Sequence, residues 1–237
     1  MHRLLTLLTT LAILVSGASA QDVGQPDFQT LFAERNPKTL SVLEAEFPSD
    51  HKALMIRLGA ISRGGQSSML MLSGAFDAVG SIRRKYANRL QYAPPDALAG
   101  LLTAAAGFHH SVLSGEGPGG CGVFAQNGTG TLFQLNLSGT YAREIDLQSA
   151  MYLEAVAEAI ERPEYYGELR QSDFAALLAV MAAAGVPQSY AASIAGGKPS
   201  DPDFCPALIA MFRAAAAFDT PEGLRARADL ARNLAGY

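Results

Sequence analysis

Cysteine is scarce in this chain. Cys121 and Cys205 are the only two, and no Cys-x2-Cys or His-x3-His spacing exists. The compact ligand patterns of zinc sites are therefore missing, and the reading assigns no metal and no cofactor. No Gly-Lys-Ser or Gly-Lys-Thr occurs, so a phosphate loop is not indicated. Charge is thin as well: 17% of residues, with 22 acids against 18 bases. Nucleic-acid binding needs clustered cations to displace condensed counterions, so the balance argues against that partner class. It argues equally against a general attraction to anionic membranes. No internal repeat and no long heptad run is visible, which sets aside solenoids and coiled coils.

What the chain does have begins at its N-terminus. Met1-His2-Arg3 is a short basic start, Leu4 to Val15 is apolar apart from threonines, and Ala18-Ser19-Ala20 supplies small residues. This pattern predicts a secretory signal over residues 1–20, cleaved before Gln21. The apolar run has 12 residues, short of the roughly twenty needed to cross a bilayer. No cysteine follows Ala20, so a lipid anchor is not expected. Cleavage leaves 17 Lys+Arg against 22 Asp+Glu, a net charge of −5 on the mature chain. Residues 21–237 are long enough for one domain with a large core. No transmembrane span is expected in them, and the destination is the periplasm or the medium.

In an exported chain, two cysteines predict one disulfide, Cys121–Cys205. It would tie the middle of the chain to its C-terminal part, favouring one cooperative domain.

The fold class expected is mainly α: a single-domain irregular helical bundle with one small β-hairpin near the middle. Asn36-Pro37 and Thr220-Pro221-Glu222 read as helix starts, and Gly185 as a helix end. Apolar stripes mark helices at Leu40, Leu43 and Phe47; at Val79, Ile82, Tyr86 and Leu90; at Leu98, Leu102, Ala105 and Val112; and at Phe204, Leu208, Met211 and Ala215. From Ser114 to Gly130 the texture changes, with seven glycines in seventeen residues. That stretch reads as a loop, and Asn127-Gly128 ahead of the alternating Phe133, Leu135 and Leu137 reads as a hairpin. Loop and hairpin together span about 114–137.

Few residues suggest chemistry. Cys121, flanked by glycines, is a candidate thiol nucleophile with His109 or His110 as base; against this stands its expected pairing with Cys205. His109 and His110 are adjacent on a helix, so their side chains diverge and suit one metal poorly. Glu154, Glu158 and Glu161 share a helix face, the ordinary pattern of a solvated surface. Arg83, Arg84, Lys85 and Arg89 fit an exposed, dipole-matched helix end. Arg225, Arg227 and Arg232 are expected outward on the last helix. Tyr165, Tyr166 and Tyr190 are candidate exposed anchors for a partner. The expected function is a non-catalytic binding role in the cell envelope, toward a protein or envelope component, through the surface near 114–130. The alternative is an envelope hydrolase using Cys121 or a His109/His110–carboxylate site.

Overall fold

Prolines open four of the helices. A fixed φ and a missing N–H suit the first helical position, where the N–H has no intrahelical partner. The computed structural model describes residues 28–63, 68–134 and 137–234; the predicted signal over 1–20 lies outside them. The described elements are α1 (Phe28–Arg35), α2 (Pro37–Glu46), α3 (Pro48–Arg63), α4 (Ser68–Leu90), α5 (Pro95–Asn127), α6 (Thr129–Gln134), α7 (Ala142–Glu161), α8 (Gln171–Ala183), α9 (Ser189–Gly196), α10 (Phe204–Ala217) and α11 (Pro221–Asn233). The chain is mainly helical, as its periodicity predicts.

The expected hairpin is not formed. No strand occurs among the described residues, and Asn127-Gly128 ends one helix and begins the next. Gly128 does make a turn, with φ 69°, and its N–H donates to the Phe124 carbonyl at 2.7 Å. Its flanks are helical because an inserted helix satisfies its backbone locally, whereas a lone hairpin needs support on both edges.

The expected glycine-rich loop is also absent. Residues 114–127 belong to α5, broken only at Gly117 (φ 70°, ψ −178°), after which Pro118 restarts the helix. At two of these glycines the lack of a side chain permits close approach. A Cβ on Gly122 would collide with the Pro199 carbonyl oxygen, and one on Gly115 with the Tyr141 hydroxyl.

α5 is the central helix. Its Leu98, Leu101, Leu102, Ala105, Phe108 and Val112 are fully or almost fully buried. It packs against α7, α11 and, most extensively, α10. Its length and mean hydropathy of 1.2 would let it cross a bilayer, yet here its apolar face is covered by protein.

Two helix starts are capped, one from across the fold and one locally. Asn36 stands before α2, but its amide donates back to the Phe32 carbonyl. The free N–H groups of Lys38 and Thr39 instead donate to the Asp146 carboxylate of α7, at 3.1 and 2.9 Å. A carboxylate from another helix thus caps α2 and complements its dipole. Thr220 caps α11 itself, accepting from the Gly223 N–H at 3.3 Å. Gly185, with φ 79°, follows α8 as expected, and the Val186 N–H reaches back to the Met181 carbonyl.

Two arginines expected at the surface are interior. Arg83 lies over the Tyr152 ring at 4.7 Å and donates to the Leu234 carbonyl; burial pushes its guanidinium down to about 10. Arg227 donates to the carbonyls of Ala215 and Pro95 and to Asp219. Each joins elements distant in sequence, and Arg227 has the several hydrogen bonds that burial of a charge requires.

Candidate functional site

The residues first suspected of chemistry converge in the core. Cys121 of α5 and Cys205 at the start of α10 are paired as a disulfide, with Cα atoms 5.8 Å apart and no exposed surface. The pairing follows from the register in which α10 lies along α5. A paired sulfur is not a nucleophile. His109 lies three turns before Cys121 and is fully buried between Phe124 and Phe212, with ring centroids 4.8 and 5.4 Å away. Its Nδ1 is 2.8 Å from the Ala105 carbonyl oxygen. A carbonyl only accepts, so that nitrogen carries the proton. Burial pushes the imidazole down to about 4, and the Ala105 hydrogen bond only partly offsets it. His110 is exposed on the outer side of α5.

The other charged candidates are dispersed. Glu158 pairs with Arg162 on its own helix, and Lys85 pairs with Asp50 of α3. Arg84 and Arg89 are exposed, while Arg83 is not. No group of three His, Cys, Asp or Glu side chains able to hold a metal occurs among the described residues.

The tyrosines lead elsewhere. After α7, residues 163–170 run without helix or turn, and this segment is anchored at several points. The Glu164 N–H donates to the Tyr92 carbonyl at 2.8 Å, and the Tyr166 hydroxyl to the Ala93 carbonyl at 2.7 Å. Burial pushes the Tyr166 phenol up. At the far end the Arg170 N–H donates to Asp173. Asp173, itself without exposed surface, takes both Nε and Nη2 of Arg225 at 2.8 Å. The Arg225 hydrogen bonds hold the Asp173 carboxyl down at about 2. Such a two-point pair fixes direction as well as distance. Gly167 crosses Arg225 with φ 86°, and a Cβ there would lie 3.7 Å from the arginine Cδ. Only glycine takes that backbone without strain.

Between this segment, the turn after α4 and the outer face of α11 lies a cleft of about 440 Å³. Gln91, Tyr92, Tyr165, Glu168, Arg225 and Arg232 are among its walls. Tyr165 is 78% exposed and stacks on Tyr92, with ring centroids 6.4 Å apart and planes at 27°. An open aromatic at the rim of a cleft with convergent polar groups makes this a candidate binding surface. Tyr165 was legible in the sequence. Tyr92, Gln91, Glu168 and Asp229 were not singled out, and Arg225 and Arg232 were read only as an outward face. The available signal was Pro163, Gly167 and two tyrosines between helices.

Comparison with models of protein families, with curated proteins and with solved structures finds no match to this chain.

Proposed function

We propose that this is an exported, non-catalytic binding protein of the cell envelope, and that its ligand sits in the cleft between residues 163–170, the α4–α5 turn and α11. One observation carries the reading: the open Tyr165 ring, stacked on Tyr92, over polar walls already held in place. Pre-arranged walls reduce the ordering entropy that binding otherwise costs. Export is supported by the predicted signal and by the cysteine pair, which suits an oxidising compartment. This placement replaces the surface near 114–130, which is helical rather than an open loop.

For the rival, a hydrolase using Cys121 or a His109/His110–carboxylate site, Cys121 is paired and His109 enclosed, which leaves it only the exposed His110. Two measurements test the binding reading. Intact mass of the exported protein should correspond to residues 21–237. Envelope polysaccharide, lipid and peptide pools are then titrated into it while the Tyr92 and Tyr165 NMR signals are followed. One pool should shift them without being consumed. Unshifted signals with every pool, or cleavage of a pool, would overturn it.

A further inference from the structure

We propose that the cleft takes a neutral saccharide, an inference that rests on the binding reading above. The first ground is charge. The walls present Arg225 and Arg232 beside Glu168 and Asp229, but Arg225 is committed to Asp173, and Arg232 donates to Asp229 at 2.7 Å. Both guanidinium groups are thus already engaged. An anionic polymer would face Glu168 and Asp229 across cations that are already paired, and a cationic ligand would have to compete with Arg232 for Asp229. A ligand without net charge meets neither penalty.

The second ground is hydrogen-bond chemistry. The Asp229 and Glu168 carboxylates accept, the Arg232 guanidinium donates, and the Gln91 amide does both. A ligand fits such mixed walls best when each of its groups can donate and accept, as every sugar hydroxyl does. The third ground is shape. The Tyr165 ring stacks against Tyr92 at a centroid distance of 6.4 Å and is otherwise open, and Leu169, 40% exposed, and Ala228 add apolar surface to the cleft lining. The electron-rich ring face attracts polarised C–H bonds, and the flat C–H face of a pyranose presents a set of them. The volume lies within the range of about 300–1,000 Å³ found for small-molecule sites, enough for a short oligosaccharide.

A neutral peptide also passes the charge test. Capture along a strand edge is closed to it, because no strand occurs among the described residues. Its backbone N–H only donates and its carbonyl only accepts, so it uses the mixed walls less fully than hydroxyls do.

The test uses the exported protein in calorimetric and NMR titrations with chitotriose, maltotriose and N-acetyl-trialanine amide. At least one saccharide should bind saturably and shift the Tyr165 signals, and the peptide should not. Tyr165→Ala, at an exposed position, should keep its melting temperature and weaken that binding about tenfold or more. Tyr165→Phe, which keeps the ring, should bind within about twofold of the parent. Saccharide binding that survives Tyr165→Ala overturns the proposal, as does failure of both saccharides. Peptide binding that depends on Tyr165 overturns the saccharide while leaving the binding role standing. Failure of all three probes, with unshifted Tyr92 and Tyr165 signals in the envelope titration, overturns both.

Discussion

The Cys121–Cys205 region and the Tyr92–Tyr165 cleft use reactive-looking and bland residues in opposite ways. The first gathers a disulfide and a histidine, the residue types richest in chemistry, and closes them among Phe124 and Phe212. The second gathers tyrosine, glutamine, arginine and carboxylates from three segments and leaves them open. Where water is excluded such groups stabilise the fold, and where water enters they stay accessible to a ligand. Residue type alone does not say which.

The largest expected effect belongs to the closed region. Replacing Cys121 and Cys205 with alanine opens a cross-link spanning 84 residues. The loop-entropy relation puts the loss at about 4.5 kcal/mol, a large share of a typical domain's stability. Urea unfolding of the variant checks this; an unchanged midpoint and slope would mean that α5 and α10 hold together without the bridge.

Acid sharpens the same contrast. Burial holds His109 neutral down to about 4, against 6.5 for a free side chain. Its protonation is opposed only in the folded state. Its contribution is therefore complete above pH 6.5 and is lost as pH falls from 6.5 through 4. The difference amounts to about 3 kcal/mol at 1.36 kcal/mol per pH unit. Stability measured from pH 7.5 to 4 should fall along that window, and His109→Met should flatten it. A slope that survives in the variant would assign the window to other groups.

The cleft wall responds at lower pH. Asp173 is depressed from 3.8 to about 2 by Arg225, so its stabilising effect is present above pH 4 and lost between 4 and 2. Asp173→Asn should remove that component of acid unfolding and shift the Gly167 amide signal by releasing Arg225. If the Gly167 signal stays in place, the ion pair does not position the cleft.

The smallest effect on stability is expected at the residue argued to matter most for binding. Tyr165→Ala should change the unfolding free energy by less than about 0.5 kcal/mol, as exposed substitutions usually do. A larger loss would make the Tyr92–Tyr165 stack a structural contact and blur the contrast between the two regions.

Helix positions were readable where a local rule acts alone. Pro37 and Pro221 open helices because of their own backbone, and Gly185 closes one because it takes a positive φ. Leu43, Leu98 and Leu102 face inward because helical spacing aligns them. Reading failed where one local signal serves two outcomes. Glycine weakens a helix in isolation, yet Gly115 and Gly122 lie within α5, where the Tyr141 hydroxyl and the Pro199 carbonyl approach too closely for a side chain. Arg83 and Arg227 look like surface cations until carbonyls from remote segments receive them.

The amino-acid sequence by itself determined that this chain is helical, where most helices begin and which apolar stripes face the core. These follow from φ restrictions and a period of 3.6 residues, both properties of neighbours along the chain. Only the tertiary structure decided that Asp146 caps α2, that His109 and Cys121 are enclosed, and that Tyr92, Tyr165 and Arg232 share a cleft. Those outcomes depend on groups 70 to more than 100 residues apart meeting in space, and nothing in local backbone geometry encodes that meeting.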